Sequence, residues 1–504
     1  GGYVVAAIRH PGETAIIHDR GALTFADVHR RTNALAHAWS DEGIVEGDAV
    51  AILCRNHRGF VEALVAASKL GAHALLLHTA FSAPQLAEVC AAEDPRAIVY
   101  DEEFAMLAGS AAEGRRRFVA SSDAPSASGP PPGVATLEQL IERGDPGEVV
   151  APQTRGSIVI LTSGTTGAPK GANRKEPKTM APAAALLSKI PLRARGRTLI
   201  AAPLFHSWGL AHFVLGLGLC STLVLRRRFD AEQTLRAIDE HGVTALVVVP
   251  VMLQRILERG PRIVRKYDTG SLRVIAASGS ALPGGLATDV MDTFGDVLYN
   301  LYGSTEVAWA TIATPADLRA APGTAGRPPR GTVVRLYDTA GEEVGRGETG
   351  RIFVGNELVF DGYTGGGGKP VIDGLVSSGD VGHFDDDGRL FVDGRDDEMI
   401  VSGGENVFPR EVEDTIAALD GVDEVAAIGV DDDGFGRRLR AFVVRSAGSA
   451  LTERDVKEHV RANLARFKVP RDVVFLDELP RTATGKVLKR ELAERPVRTA
   501  PAER

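Results

Sequence analysis

The stretch from Ala49 to Leu77 reads as strand, helix and strand in immediate succession, and it limits the fold more than any other. AVAIL (Ala49 to Leu53) is a continuous apolar run of strand length, Phe60 to Leu70 has helical spacing and is closed by Gly71, and Ala72 to Leu77 is apolar again. Runs apolar on consecutive positions belong in sheets covered on both faces, and strands joined through helices pair in parallel. The rhythm recurs. Phe25, Val28, Leu35 and Trp39 follow a cap at Thr24 and precede Gly43, TALVVVP leads into a helix reaching Leu257, and LRVIAA leads into a helix after Pro283. The fold class is therefore α/β.

From about Gly323 the texture changes to short β-like runs with frequent glycine, such as VVRLYD and GRIFVG, which predict a small β-subdomain. After Gly394, EVEDTIAAL and VKEHVRANL read as helices and VAAIGV and LRAFVV as strands, enough for a compact α+β domain. The expected organisation is a large N-terminal domain over residues 1–395, with parallel sheets flanked by helices and the β-subdomain at about 323–395, and a small C-terminal domain over 396–504. SSDAPSASGPPPG (Ser121 to Gly133) reads as a low-complexity surface loop. The pattern stops soon after Leu492, so no appended carrier domain is expected.

A chain of 504 residues exceeds one hydrophobic core, and roughly two to four domains are expected from length. A net charge of −8 argues against a nucleic-acid partner. Three widely spaced cysteines, Cys54, Cys90 and Cys220, without a C-x-x-C, fit a reducing cytoplasm and read as core thiols. No signal-peptide pattern opens the sequence. The apolar run from Trp208 to Leu225 carries His212 and three glycines and reads as a buried helix leading into a strand. Arg226, Arg227 and Arg228 behind it read as a solvated strand end, with peripheral membrane contact left open.

The chemistry begins at LTSGTTGAPKG, Leu161 to Gly171, which packs three glycines, four hydroxyls and Lys170 behind the apolar run SIVIL. Glycines let backbone N–H groups close around an anion, hydroxyls add short donors, and lysine supplies a point charge, so the stretch suits a polyphosphate. It is not a Walker A loop: Pro169 stands where the second glycine is required, and Gly171 follows the lysine where a hydroxyl is required. No G-x-G-x-x-G follows a strand and opens a helix.

The same stretch resembles the signature loop of the adenylate-forming superfamily, which includes acyl-CoA synthetases, luciferases and the adenylation domains of peptide synthetases. The resemblance covers almost the whole chain, because further motifs follow in the family's order: PLFHSWG (Pro203 to Gly209), ASGSALP (Ala277 to Pro283), NLYGSTE (Asn300 to Glu306), SSGDVG, GRDDEMIVSGGENVFPREVE (Gly394 to Glu413) and PRTATGKVLKREL (Pro480 to Leu492). It implies bacterial-type fatty-acid or aryl acyl-CoA ligases above the other members, with ATP, Mg²⁺ and CoA as cofactors.

The resemblance also assigns residues. Thr162, Ser163, Gly164, Thr165, Thr166, Gly167 and Lys170 hold phosphate, and Ser278, Gly279, Ser280, Asn300, Tyr302, Gly303 and Ser304 hold the nucleotide, with Tyr302 offering a flat face to adenine. Thr305 meets phosphate oxygen, and Glu306 supplies the carboxylate for Mg²⁺, a cation that prefers hard oxygen ligands. His206 lines or gates the carboxylate pocket, whose apolar wall runs through Trp208, Val249, Met252, Gly303 and Val307. Asp380 accepts the ribose hydroxyls, Arg395 meets the ribose or α-phosphate, Asp397 is the hinge of the mobile C-terminal domain, and Ser402, Gly403 and Gly404 border the pantetheine tunnel. Lys486 enters the site during adenylation, where a mobile cation offsets the repulsion between carboxylate and α-phosphate.

The implied activity is an acid–thiol ligase. A carboxylic acid, with fatty acids foremost and aryl acids open, is converted with ATP to acyl-AMP and pyrophosphate, and the acyl group then passes to CoA. A fatty acyl-AMP ligase loading a carrier protein is the alternative, and a homodimer is left open. A non-catalytic nucleotide-binding protein on the same scaffold would have lost Lys486, Glu306 or Asp380, and all three are present.

Overall fold

Each segment of the strand, helix and strand reading is realised almost residue for residue. The strand is Ala49–Leu53, the helix Arg58–Leu70 is capped by Gly71, and the next strand is His73–Leu76. Consecutive residues of the first strand are buried, as a parallel strand covered on both faces requires. The helix Phe25–Asp41 starts as its sequence dictates: Thr24 Oγ1 accepts from the Asp27 N–H while the Asp27 carboxylate accepts from the Thr24 N–H, so two otherwise orphaned donors are satisfied reciprocally.

This computed structural model describes residues 2–495 apart from 112–113, 122–131, 163–169, 174–178, 305, 359–361, 364–367, 397–399, 403–404, 408, 433–435, 465–467 and 483–484. The expected surface loop therefore lies mostly outside the described residues. The chain divides into two units, the first comprising residues 1–278, 290–299 and 357–368, the second 279–289, 300–356 and 369–504.

The first unit holds two sheets. One has eight strands, in the order Gly362–Tyr363, Lys170–Asn173, Ile158–Thr162, His73–Leu76, Ala49–Leu53, Ala97–Asp101, Arg116–Ser121 and Ala135–Thr136. Its pairings are parallel except at Lys170–Asn173, which runs antiparallel to both neighbours. The other places Val274–Ala277, Ala245–Val248, Arg197–Ile200, Thr222–Leu225 and Thr14–His18 side by side in parallel, with Gly21–Thr24 antiparallel at the edge. In such sheets ligands gather beyond the carboxyl ends of the strands. Three motif stretches run on from such strand ends, those at Thr162, Ile200 and Ala277, and the expected wall residues Val249 and Met252 follow Val248.

The apolar run after Trp208 forms the helix Ser207–Gly218 and the strand Thr222–Leu225, as expected. No described helix is long and apolar enough to cross a membrane. Of the arginines behind it, Arg228 is exposed as a solvated strand end would be, but Arg226 and Arg227 are largely covered and all three are ion-paired. Arg226 pairs with Asp19 at 2.7 Å, Arg228 with Glu103 at 2.8 Å, and Arg227, its side chain only 13% exposed, with Glu103 at 2.9 Å. The carboxylates come from segments distant in sequence, which a local charge count cannot see. Cys54 and Cys90 are buried as expected of core thiols, whereas Cys220 is only half-buried, in a turn with φ +49°.

The second unit contains the β-subdomain, a sheet of Val333–Tyr337, Gly350–Gly355, Leu375–Phe384 and Val371–Ile372, with Leu390–Arg395 beside Leu375–Phe384, all antiparallel. It also contains the antiparallel pair Leu298–Tyr302 and Thr311–Ala313, the former strand beginning in the first unit. Toward the C-terminus, Val422–Asp432 and Gly436–Arg445 form a long antiparallel pair extended by Asp472–Leu476. Alternate residues of Gly436–Arg445 serve two cores: Ala441 and Val443 pack with Val412, Ile416, Val456 and Val460 of two helices, and Phe442 and Val444 pack with Leu479 and Leu492. The four helices and strands expected after Gly394 are all present.

Candidate functional site

In the first unit the phosphate-loop stem is an antiparallel turn. Ile158–Thr162 ends at Thr162, and the return strand begins at Lys170, whose Cα is paired with that of Thr162. The backbone therefore brings the two ends of the loop together. Ser163, Gly164, Thr165, Thr166 and Gly167 lie outside the described residues.

Beyond Ile200, Pro203 to Gly209 leads into the helix Ser207–Gly218, with His206 at the N-cap position in extended conformation and its side chain not used as a cap. Gly209 is required there, because a Cβ would lie 2.3 Å from the Pro203 carbonyl oxygen. His206 Nε2 is buried with no hydrogen-bond partner among the described residues, and burial, helped by the nearby His78, lowers its pKa to about 3. A ring that stays neutral and unsatisfied in a protein interior needs an explanation, and a ligand is one. Trp208 is anchored by Nε1 donating to the Val248 carbonyl at 3.1 Å and stands edge-on to His212 at 4.2 Å.

In the second unit Asp380 is the focus. It lies on Leu375–Phe384 directly across from Arg395, whose guanidinium donates to Oδ1 at 3.3 Å, and Tyr302 donates its hydroxyl to Oδ2 at 2.5 Å. Ser378 Oγ accepts from the Asp380 N–H at 3.1 Å, and Gly379 takes φ +80°, the left-handed region that lets the S-G-D turn present the carboxylate. Burial raises the Asp380 pKa, while Tyr302, Arg395 and Lys486 oppose the rise without cancelling it. Lys486 is thus close enough for its charge to act on Asp380. The lysine itself is exposed, on a turn in which Thr482 donates to the Lys486 carbonyl at 2.8 Å and the Lys486 N–H donates back to Thr482 Oγ1 at 3.1 Å.

Asn300 and Tyr302 lie on the same strand, and Asn300 Oδ1 is buried with no donor among the described residues. Ser304 Oγ accepts from the N–H groups of Glu306 and Val307 at 3.3 and 3.4 Å, which shapes the turn holding the half-buried Glu306, a hard-oxygen donor suited to Mg²⁺. Ala308, in the same segment, has φ +60°, a strain of about 1–3 kcal/mol that a functional turn can retain. Ser278 ends the first unit and is buried, and Gly279 and Ser280 open the second. Ser402 is the last residue of its strand, with its Cα paired to that of Glu405. Thr305, Asp397, Gly403 and Gly404 lie outside the described residues.

Family models match both parts of the chain, that of the AMP-binding enzyme over residues 4–364 and that of the AMP-binding enzyme C-terminal domain over residues 411–486. The chain belongs to the AMP-binding enzyme family. Similar proteins include an indoleacetate–CoA ligase of Aromatoleum aromaticum, 34% identical over 96% of this chain and 95% of the relative, and a feruloyl-CoA synthase of an Amycolatopsis species, 34% identical over 96% of each. Among solved structures, an o-succinylbenzoate CoA synthetase from Bacillus subtilis in complex with its acyl-adenylate intermediate superimposes with a TM-score of 0.86, at 25% identity over 98% of each chain. This AMP-binding enzyme is an ATP-dependent acyl-CoA synthetase, using ATP, CoA and a small-molecule acid.

The structure of this AMP-binding enzyme adds residues that the motifs do not contain. Asn56 is buried and donates from Nδ2 to the carbonyls of Ile200 and Ala202 at 3.1 and 2.8 Å, while its Oδ1 accepts from the Leu204 N–H at 2.8 Å. It thereby clamps the segment carrying His206. Asn56→Ala strands two carbonyls and an N–H in the interior, so the expected loss is about 3 kcal/mol, read from the urea midpoint. Beside it Cys54, His57 and Asp101 gather their ligand atoms within 4.8 Å, a spacing that suits a metal. The atoms are already committed. His57 donates to Asp101 through Nε2 at 2.6 Å and accepts the Gly59 N–H at Nδ1, and Asp101 also accepts from the Arg55 N–H at 3.0 Å and from Arg227 at 3.4 Å. Burial works to raise the Asp101 pKa, yet His57, the Arg55 N–H and Arg227 outweigh it and hold the carboxylate ionised, so the cluster is a fastener of strand ends.

Proposed function

We propose that this synthetase activates an aryl or arylalkyl carboxylic acid. The carrying observation is an aromatic group in the first unit, in which His78, Phe81, Phe205 and His206 approach one another with ring centroids 4.7–5.7 Å apart. Such a wall matches a flat ring by stacking and edge contacts better than a flexible alkyl tail. The acids named for the indoleacetate and feruloyl relatives support the same choice. A fatty acid, foremost on sequence alone, becomes the second reading.

In the proposed reaction an oxygen of the substrate carboxylate attacks the α-phosphorus of ATP. The new bond is carboxyl O–P, the bond to the bridging oxygen of the β-phosphate breaks, and pyrophosphate leaves. Thr162, Lys170 and the hydroxyls between them hold the β- and γ-phosphates, Asp380 and Arg395 hold the ribose, and the Asn300 Oδ1 acceptor suits the adenine amino group. Glu306 would hold Mg²⁺, which would supply neutralisation of phosphate charge. Lys486 offsets the approach of two anions. Residues 396–504 then swing about Asp397, withdrawing the lysine and bringing in Ser402, Gly403 and Gly404, and the CoA sulfur attacks the acyl carbon as the bond to AMP breaks and the thiol proton is released.

Pyrophosphate release from a panel of benzoate, cinnamate, indoleacetate, decanoate and palmitate, with and without CoA, tests the reading. Aryl acids are expected to exceed the alkanoates by at least about tenfold in kcat/KM, with turnover dependent on CoA. Preference for the alkanoates overturns the aryl assignment, and release without thioester formation on CoA favours loading of a carrier protein.

A further inference from the structure

His78 belongs to none of the motifs, yet it stands at the centre of the aromatic group. It follows the strand His73–Leu76, and its ring centroid lies 5.1 Å from that of His206, edge-on at 81°, and 5.0 Å from that of Phe205. Its Nδ1 accepts the Ala80 N–H at 3.0 Å. An imidazole that accepts at Nδ1 carries its proton on Nε2, so this backbone contact fixes the tautomer and leaves Nε2–H as a donor. Burial lowers the His78 pKa to about 4, and both rings are neutral at physiological pH. The pair offers a fixed N–H donor on His78 and a buried nitrogen on His206 that has no partner among the described residues, and the rings of Phe81 and Phe205 pack against them.

A polar spot in an apolar wall costs binding energy to any ligand that cannot pair with it and rewards one that can. We propose that His78 is a specificity-determining residue whose Nε2–H, set beside the unsatisfied ring of His206, selects aryl acids bearing an oxygen on the ring over the unsubstituted aryl acid. This rests on the aryl reading proposed above. It assigns His78 no part in bond making, so the effect falls on discrimination between acids and leaves ATP use alone.

The test compares cinnamate with its 2-, 3- and 4-hydroxy isomers, and with decanoate, by pyrophosphate release in the full-length wild type, His78→Phe and His78→Gln. The wild type is expected to favour at least one hydroxy isomer over cinnamate by about tenfold or more in kcat/KM, as one added hydrogen bond beside the unsatisfied His206 nitrogen allows. His78→Phe, which keeps a ring and removes the donor, brings that ratio to within about twofold of unity, in part by raising kcat/KM for cinnamate, while the KM for ATP stays unchanged. His78→Gln, which keeps an N–H donor, retains most of the preference. Release with cinnamate but without preference for any isomer, a preference that survives His78→Phe, or equal loss in both variants overturns the role of His78 alone. Release with decanoate and none of the cinnamates overturns the aryl reading, and the role of His78 falls with it.

Discussion

Lys486→Ala is expected to cut acyl-AMP formation from acid and ATP by a factor of about 10² to 10³, while thioester formation from supplied acyl-AMP and CoA stays within about twofold of wild type. The asymmetry follows from the charges. Adenylation brings a carboxylate against a phosphate and builds further negative charge at phosphorus, whereas thioester formation starts from an acyl-AMP in which that repulsion is already gone. The geometry isolates the effect. Lys486 is exposed, its turn is held by backbone and Thr482 contacts that do not use the ammonium group, and its charge acts on Asp380. Removing Nζ therefore leaves the thermal midpoint unchanged. Pyrophosphate release and thioester formation, measured separately on the same preparation, decide the matter, and an equal fall in both removes the lysine from the adenylation step.

Asp380→Ala is expected to behave differently, raising the KM for ATP by about 10- to 100-fold and also slowing the reaction of supplied acyl-AMP, because both half-reactions hold the same ribose. The carboxylate additionally accepts from Tyr302 and Arg395 and is only 9% exposed, so its loss removes two charge-assisted hydrogen bonds and leaves the Tyr302 hydroxyl only the Ser378 Oγ at 3.2 Å. A stability cost of about 1–3 kcal/mol accompanies the kinetic one. Asp380→Asn keeps an acceptor for Tyr302 and is expected to recover most of the stability but not the ATP affinity. Steady-state kinetics with ATP varied, read beside urea unfolding, separate the two losses, and an unchanged KM for ATP excludes Asp380 from ribose binding.

These two residues show how far local reading reaches. Asp380 and Lys486 stand out in short motifs whose glycines and neighbouring polar residues are themselves the signal. The structure places the aspartate across a strand pair from Arg395 and puts the lysine within electrostatic reach of it. His78 and Asn56 carry no such signal. Each acts on residues more than a hundred positions away in the chain, the one on His206 and the other on Ile200, Ala202 and Leu204. The arginines after Leu225 are the converse case. Three adjacent cations read locally as solvated, and they pair with carboxylates brought in from Asp19 and Glu103.

The sequence by itself determined the α/β architecture, the position of most strands and helices up to the C-terminal sheet, and the family. Apolar periodicity, caps such as Thr24 and the residues of phosphate-binding turns act over a few positions, and they mean the same thing in any chain that contains them. Only the tertiary structure decided which polar groups are satisfied and which are not. Strand order brings His78 against His206, ties Asn56 to the segment before the helix Ser207–Gly218, and saturates the Cys54, His57 and Asp101 cluster that ligand spacing alone would offer to a metal. Hydrogen bonding and burial depend on neighbours in space, and the order of residues along the chain does not specify those neighbours until the sheets have formed.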